Sequence, residues 1–298
     1  MKNIVGLFLS CLLAAGCYHE DELSSSSEPE LIYGKYTLPQ GNHEYDNDIV
    51  AFYKEYSSLL LYKFTEIDFG WTPTGFAGWE VATDTVRNDV SASYEFKPKG
   101  VPADEEYVGH LIELLEEKWF KHLSDTLMLC LPQRILLCDV IENMQVGLGY
   151  EPPKEERTCR NVFSGYFHIA VGGANERILT MTAAEKNQLK NDINIAFFEK
   201  IEAILSAPMA FRAVSTYGDG SENGTLENGI LNSENRTSPQ KDWMDYIRLG
   251  LSTTTECLQA DYFDAYPKVK EKYDIMAKYL KDEFKFDIAA VGNNVEIQ

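Results

Sequence analysis

The feature that most restricts how this chain can fold stands at its start. Lys2 is followed by a near-continuous apolar run, Ile4 to Ala15, of 12 residues. Wound as a helix, that run falls well short of a hydrocarbon core of roughly 30 Å, but it matches the apolar centre of an export signal. The small residues Ala14, Ala15 and Gly16 then lead into Cys17. Residues 1–16 are therefore read as a signal peptide, and only the chain from Cys17 onward is available to build a core.

A cysteine directly after Ala-Ala-Gly resembles the lipobox of bacterial lipoproteins, with Leu13 one place earlier than the usual lipobox leucine. That resemblance implies a lipidated Cys17 and attachment to the membrane by acyl chains, which hold firmly when more than one is present. Residues 17–30 continue as an acidic, serine-rich stretch, YHEDELSSSSEPE after the cysteine. So little apolar surface cannot offset the entropy of ordering, so this part is expected to be a flexible tether. An acidic cluster placed there also resembles surface-export signals of some Gram-negative lipoproteins, and a plain solvated spacer explains it equally well. The expected location is the outer membrane, with exposure at the cell surface as one possibility.

Residues 31–298 remain for a folded domain, enough for one sizeable core or two small ones. A composition of 44% hydrophobic and 12% aromatic residues suits a globular domain. The formal net charge of −20 repels phosphate and excludes nucleic acid as a natural partner. Past Cys11 of the leader and Cys17, the remaining Cys130, Cys138, Cys159 and Cys257 match no zinc spacing. Their pairing is not fixed by sequence, and Cys130 and Cys138, set in apolar runs, read as small buried hydrophobes.

Hydrophobic periodicity gives an outline. It predicts helices over residues 46–56, 104–123, 241–251 and 266–284, and strands over 59–64, 134–141 and 162–171. Residues 82–96 are weakly strand-like, 70–78 read as a turn, and 215–240 as a long surface loop. The longest helix is expected over 182–205, with Thr182 as cap, Glu185 closing a capping box, and Ala207-Pro208 marking its end. Helices set apart from a small sheet suggest an α+β single domain with a long central helix.

The catalytic signatures that short motifs can carry are absent: no nucleophile elbow, no P-loop, no dinucleotide fingerprint, no Cys-x-x-Cys. The five histidines, His19, His43, His110, His122 and His168, form no His-Glu-x-x-His. His168 alternates with Phe167 and Ile169 and reads as a packing residue. His110 and His122 stand twelve apart on one predicted helix and cannot share a metal.

The chain nonetheless resembles the zinc-binding metallopeptidase lipoproteins that accompany TonB-dependent nutrient importers. The residues that carry the likeness are LPQG at 38–41, YDNDIVAFYKEYSSLLLYKF at 45–64, Trp71, FFEKIEAI at 197–204 with Phe211 and Tyr217 beyond it, QKDWMDYI at 240–247 and KVKEKYDIMAKYLKDEFKFDI at 268–288. The resemblance implies a zincin-like fold, a zinc cofactor, and His-Glu-x-x-His on the long helix. The matching positions are Phe198, Glu199, Lys200, Ile201 and Glu202, and the further acidic ligand would fall at Asp245, with Asp242 alongside. The departure decides the chemistry. Two histidines four apart on a helix can share one zinc, whereas Phe198 offers no donor atom and Glu199 has no metal-bound water to activate. No metal ligands and no cofactor are therefore expected.

Glu199, Glu202, Asp242 and Asp245 are expected to be solvated helix charges paired with Lys200 and Lys241, oxygen ligands for a hard cation being the alternative. Trp71, Trp79, Tyr94 and Trp243 are candidates for stacking on a peptide or glycan, though core packing is the commoner use of such rings. The leading expectation is a non-catalytic binding or accessory lipoprotein for nutrient uptake, partnered with an importer and holding a peptide or glycan in the old cleft beside Phe198 and Trp243. Two alternatives stay open: an active metallohydrolase or other hydrolase with a non-standard site, and a purely structural member of an outer-membrane complex.

Overall fold

The computed structural model describes residues 31–33, 36–72, 75–76, 93–95, 98–147 and 154–293. The signal peptide, Cys17, the tether and Trp79 lie outside the described residues. The chain divides into two compact units at Pro39/Gln40, later than the tether's expected end. In the first unit, strands Leu31–Tyr33 and Tyr36–Leu38 form an antiparallel pair.

The second unit is built on one seven-stranded sheet. Its strands are β1 (Leu59–Leu61), β2 (Ser93–Glu95), β3 (Lys99–Pro102), β4 (Arg134–Gly147), β5 (Lys154–Arg160), β6 (Val162–Ser164) and β7 (His168–Gly172). β4 is the spine. At its start it runs parallel to β1 on one edge and to β7 on the other, with Ile135 facing Leu60 and Ile169. Ile135, Leu136, Leu137 and Cys138 are all wholly buried, as a strand covered on both faces requires. Beyond Cys138 the neighbours become antiparallel: β3 and β2 on one edge, β5 on the other. Val140 and Glu142 are then only half-buried while Ile141 is buried.

The five longer helices of this unit are α1 (Glu44–Tyr56), α2 (Val108–Lys118), α3 (Ala183–Lys200), α4 (Pro239–Ser252) and α5 (Pro267–Phe284). α3 packs on β6 and α4, and α4 on α5. The fold is mixed α+β, as expected. One long central helix gives way to two of equal length, 18 residues each, in α3 and α5.

Three local expectations are corrected. The strand read over 162–171 is two antiparallel strands, because Gly165 turns the chain: its amide donates to the carbonyl of His168 at 3.0 Å. A Cβ there would meet the His168 ring at 2.0 Å, so the turn needs glycine. The helix from Thr182 forms with its capping box, Glu185 N to Thr182 Oγ1 at 3.2 Å and Thr182 N to Glu185 Oε2 at 2.9 Å. It stops at Lys200, however. Ile201 is its cap (ψ 13°), and Glu202–Ile204 form a separate 3-10 turn. The turn over 70–78 holds a short antiparallel pair, Trp71–Thr72 with Gly75–Phe76.

Candidate functional site

The C-terminal end of α3 packs against α4, so Phe198, Glu199, Asp242 and Asp245 are set by these two helices. Each is already engaged. Phe198 is wholly buried, its ring 4.8 Å from Phe286 and 5.6 Å from Phe197, centroid to centroid. Glu199 accepts from Nε of Arg248 at 2.9 Å, and the same guanidinium donates to Asp245 at 2.8 Å. Asp245 also accepts from the Asn235 amide at 2.5 Å. Glu202 lies past the end of the helix, on the 3-10 turn.

Asp242 is not the solvated charge expected of it. It is wholly buried and accepts from the ammonium of Lys272 on α5, which is wholly buried too. The phenol of Tyr217 donates to the same carboxylate oxygen at 2.7 Å. Ser215 Oγ at 3.0 Å, Tyr217 Oη at 3.1 Å and the Gly229 carbonyl oxygen at 2.8 Å also surround the ammonium and share its remaining N–H groups. Three rings enclose it, with centroids 4.3 Å (Phe211), 5.0 Å (Tyr246) and 5.3 Å (Tyr217) away. Burial drives the Asp242 carboxyl up and the Lys272 ammonium down, each against the pull of its partner. Burial likewise raises the phenols of Tyr217 and Tyr246.

The segment over 215–240 is what closes this node, which corrects its reading as a surface loop. Ile230 is buried, and Gly229 sits at φ +77°, a conformation that favours glycine. A Cβ on Gly229 would also stand 3.1 Å from Lys272 Cδ. Lys200, expected to pair with the acidic cluster, instead donates to the carbonyls of Gly165 and Tyr166 (2.8 Å to the latter). Burial lowers its pKa to about 8.

Zinc does not fit the positions matched to the metallopeptidase motif. Phe198 has no donor and is spent in packing, and Asp242 and Asp245 already hold Lys272 and Arg248. Among the described residues, no three His, Cys, Asp or Glu side chains converge on one point. The stacking candidates fare unevenly. Trp243 is wholly buried, at 4.9 Å from Phe211 and 5.5 Å from Tyr279, and presents no face to a ligand. Only the backbone of Trp71 is described, in its short strand, and the Tyr94 backbone lies in β2. The four cysteines among the described residues are free; Cys138 is buried and Cys130 only half-buried, while Cys159 and Cys257 are exposed. No described helix is long and apolar enough to cross a membrane.

No protein-family model and no curated protein matches the chain. Among solved structures it is similar to a Bacteroides caccae protein named a "putative zinc-binding metallo-peptidase", with a TM-score of 0.47 and 12% identity over 85% of this chain and 91% of that one.

Proposed function

We propose that this chain is a non-catalytic binding or accessory lipoprotein, held at the outer membrane through Cys17 and serving the uptake of a peptide or glycan alongside a TonB-dependent importer. One observation carries the non-catalytic part. The acids at and beside the motif positions, Glu199, Asp242 and Asp245, are bound to Arg248 and Lys272, and Phe198 is sealed in the core. A carboxylate fixed to an ammonium or guanidinium is a poor ligand and a poor base, since binding a metal would first cost the ion pair. The leader, the lipobox-like Ala-Ala-Gly-Cys and the likeness to importer-associated lipoproteins support the location and the role.

The test is elemental mass spectrometry of the purified domain before and after zinc loading, with a broad protease assay in parallel. Near-zero zinc in both samples and no cleavage is the expected result. One zinc per chain, with chelator-sensitive proteolysis, overturns the reading. Lipidation is tested separately, by mass analysis of the mature N-terminal peptide in wild type and in Cys17→Ala.

A further inference from the structure

β7 is wedged between β4 and β6 and ends at Gly172, which faces Cys138 of β4 and donates its amide to the Asn161 carbonyl at 2.8 Å. From Ile141 onward the same edge of β4 pairs with β5, beginning at Arg160. The edge therefore changes neighbours across Asp139 and Val140. Gly173 turns the chain out at φ +114°, with open space where a Cβ would stand. Asn175 fastens the turn by donating its amide to the Asp139 carbonyl at 2.8 Å and to Asp139 Oδ1 at 2.7 Å. A cleft of about 200 Å³ opens at this exchange of strands, walled by the first turns of α3. It lies at the carboxyl end of β7, where the parallel pairing of β7 with β4 stops and β4 itself runs on to Gly147.

The lining has a definite chemistry. Ile141, Ile178 and Leu189 form a buried apolar floor. Asp139, Arg160 and Arg177 stand at the rim. Arg177 spends Nη2 on Glu185 at 2.7 Å, and Glu185 is committed further to the Thr182 cap. A guanidinium carries five donors, so most of the fork is left to bind something else. Asp139 lines the cleft and is half-buried, with its Oδ1 accepting from Asn175. The cleft is nine residues up α3 from Phe198, roughly 13 Å along the helix, so it is separate from the Lys272–Asp242 node.

We propose that this cleft binds a single free amino acid bearing an apolar side chain. The carboxylate would lie on Arg177, the ammonium on Asp139, and the side chain on Ile141, Ile178 and Leu189. Guanidiniums recognise carboxylates in a fixed fork geometry. A zwitterion suits a rim of both signs on a chain of net charge −20, where a simple anion would be repelled. The volume is below the roughly 300 Å³ at which typical small-molecule pockets begin, which suits one residue. Among the described residues no aromatic ring lines the cleft, so no stacking face for a sugar is found there. The proposal names a ligand for the binding role above and rests on that role.

The experiment is titration calorimetry of the full mature chain with L-leucine, L-leucinamide and N-acetyl-L-leucine. Leucine is expected to bind saturably, and blocking either end to weaken binding roughly tenfold or more, the effect of one lost charged hydrogen bond. Asp139→Asn and Arg177→Gln should each do the same to leucine while leaving the melting temperature nearly unchanged. Exposed Cys159 lines the same cleft, so its alkylation should slow when leucine is present. No saturable binding of leucine, or binding indifferent to both blocked ends and both variants, overturns the proposal. Either failure would leave the non-catalytic reading standing, because that reading falls only to bound zinc with proteolysis. Binding of an unblocked sugar in place of leucine would overturn the ligand assignment while keeping the binding role.

Discussion

Lys272 donates its ammonium to the carboxylate of Asp242 with both side chains sealed from water, one on α5 and the other on α4. A pair of this kind repays its desolvation only while it is complete. Lys272→Met strands a buried carboxylate and removes the donor to Gly229 and Ser215. It should cost about 3–5 kcal/mol of stability, read by chemical denaturation. Asp242→Leu should do comparable damage. The double variant Lys272→Met/Asp242→Leu should be markedly more stable than either single change, since no lone charge is left. Additive losses in the double variant would show that the two groups are not energetically coupled.

Arg248 presents the opposite case. It also joins two carboxylates, Glu199 and Asp245, but its side chain is 40% exposed, as is that of Glu199. Water and salt screen such a pair, and its net contribution is about 1 kcal/mol or less. Arg248→Ala should therefore shift the denaturation midpoint little, and less still at high salt. A loss as large as that of Lys272→Met would mean that the Glu199–Asp245 pair depends on this cation far more than its exposure suggests.

The buried histidines set an acid limit. Burial lowers His168 to about 3, aided by Lys200 and Arg134 and opposed by Asp68. Its ring lies 5.3 Å from Phe69 and 6.0 Å from Phe163. His122 is lowered to about 4 by burial and by Lys121, Lys190 and Lys118. Both are bases whose folded pKa is depressed, so the unfolded chain binds protons that the folded chain refuses. Stability from this source is full above about pH 6.5 and falls as the pH drops, by about 1.4 kcal/mol per unit for each histidine. Between about 6.5 and about 4 the two act together, and His122 ceases to contribute below that while His168 continues toward about 3. Urea unfolding at a series of pH values should show this slope, with the carboxylates adding their own below about pH 5. His168→Gln should remove about half of it. An unchanged slope in that variant would exclude His168 as its source.

Helix positions were legible wherever side chains obeyed one period. The pattern of α2, the Pro-initiated α4 and α5, and the Thr182–Glu185 capping box all stand in the sequence, because caps and stripes are local. The node at Lys272 was not legible. A lysine on a basic amphipathic helix reads as solvated, and only its tertiary partners, Asp242, Ser215 and Gly229, reveal that it is buried. The same holds for α3, whose buried face carries Lys190 and Asn194 among Ile193 and Phe197. Gly229 is one of four glycines in that polar stretch, and nothing local marks it as the one that meets Lys272. The cleft at β7 could not be read either, since it depends on β4 exchanging one neighbour for another. Gly172-Gly173 was visible as the end of a strand, with nothing to say what that end would face.

The end of α3 bears on the likeness to the metallopeptidases. Two ligands at i and i+4 share a metal only if the helix continues through both. Here it stops at Lys200, and Glu202 starts a new 3-10 turn, while Phe198 points into the core against Phe286. Writing the motif back with Phe198→His and Glu202→His should therefore fail to create a zinc site. It should instead lower stability by about 3 kcal/mol or more, since a buried phenylalanine is lost and a polar ring is sealed in its place. Elemental analysis after zinc loading, together with urea denaturation, decides it. Stoichiometric zinc with stability preserved would show that α3 can extend one more turn and that two histidines at these positions can hold a metal.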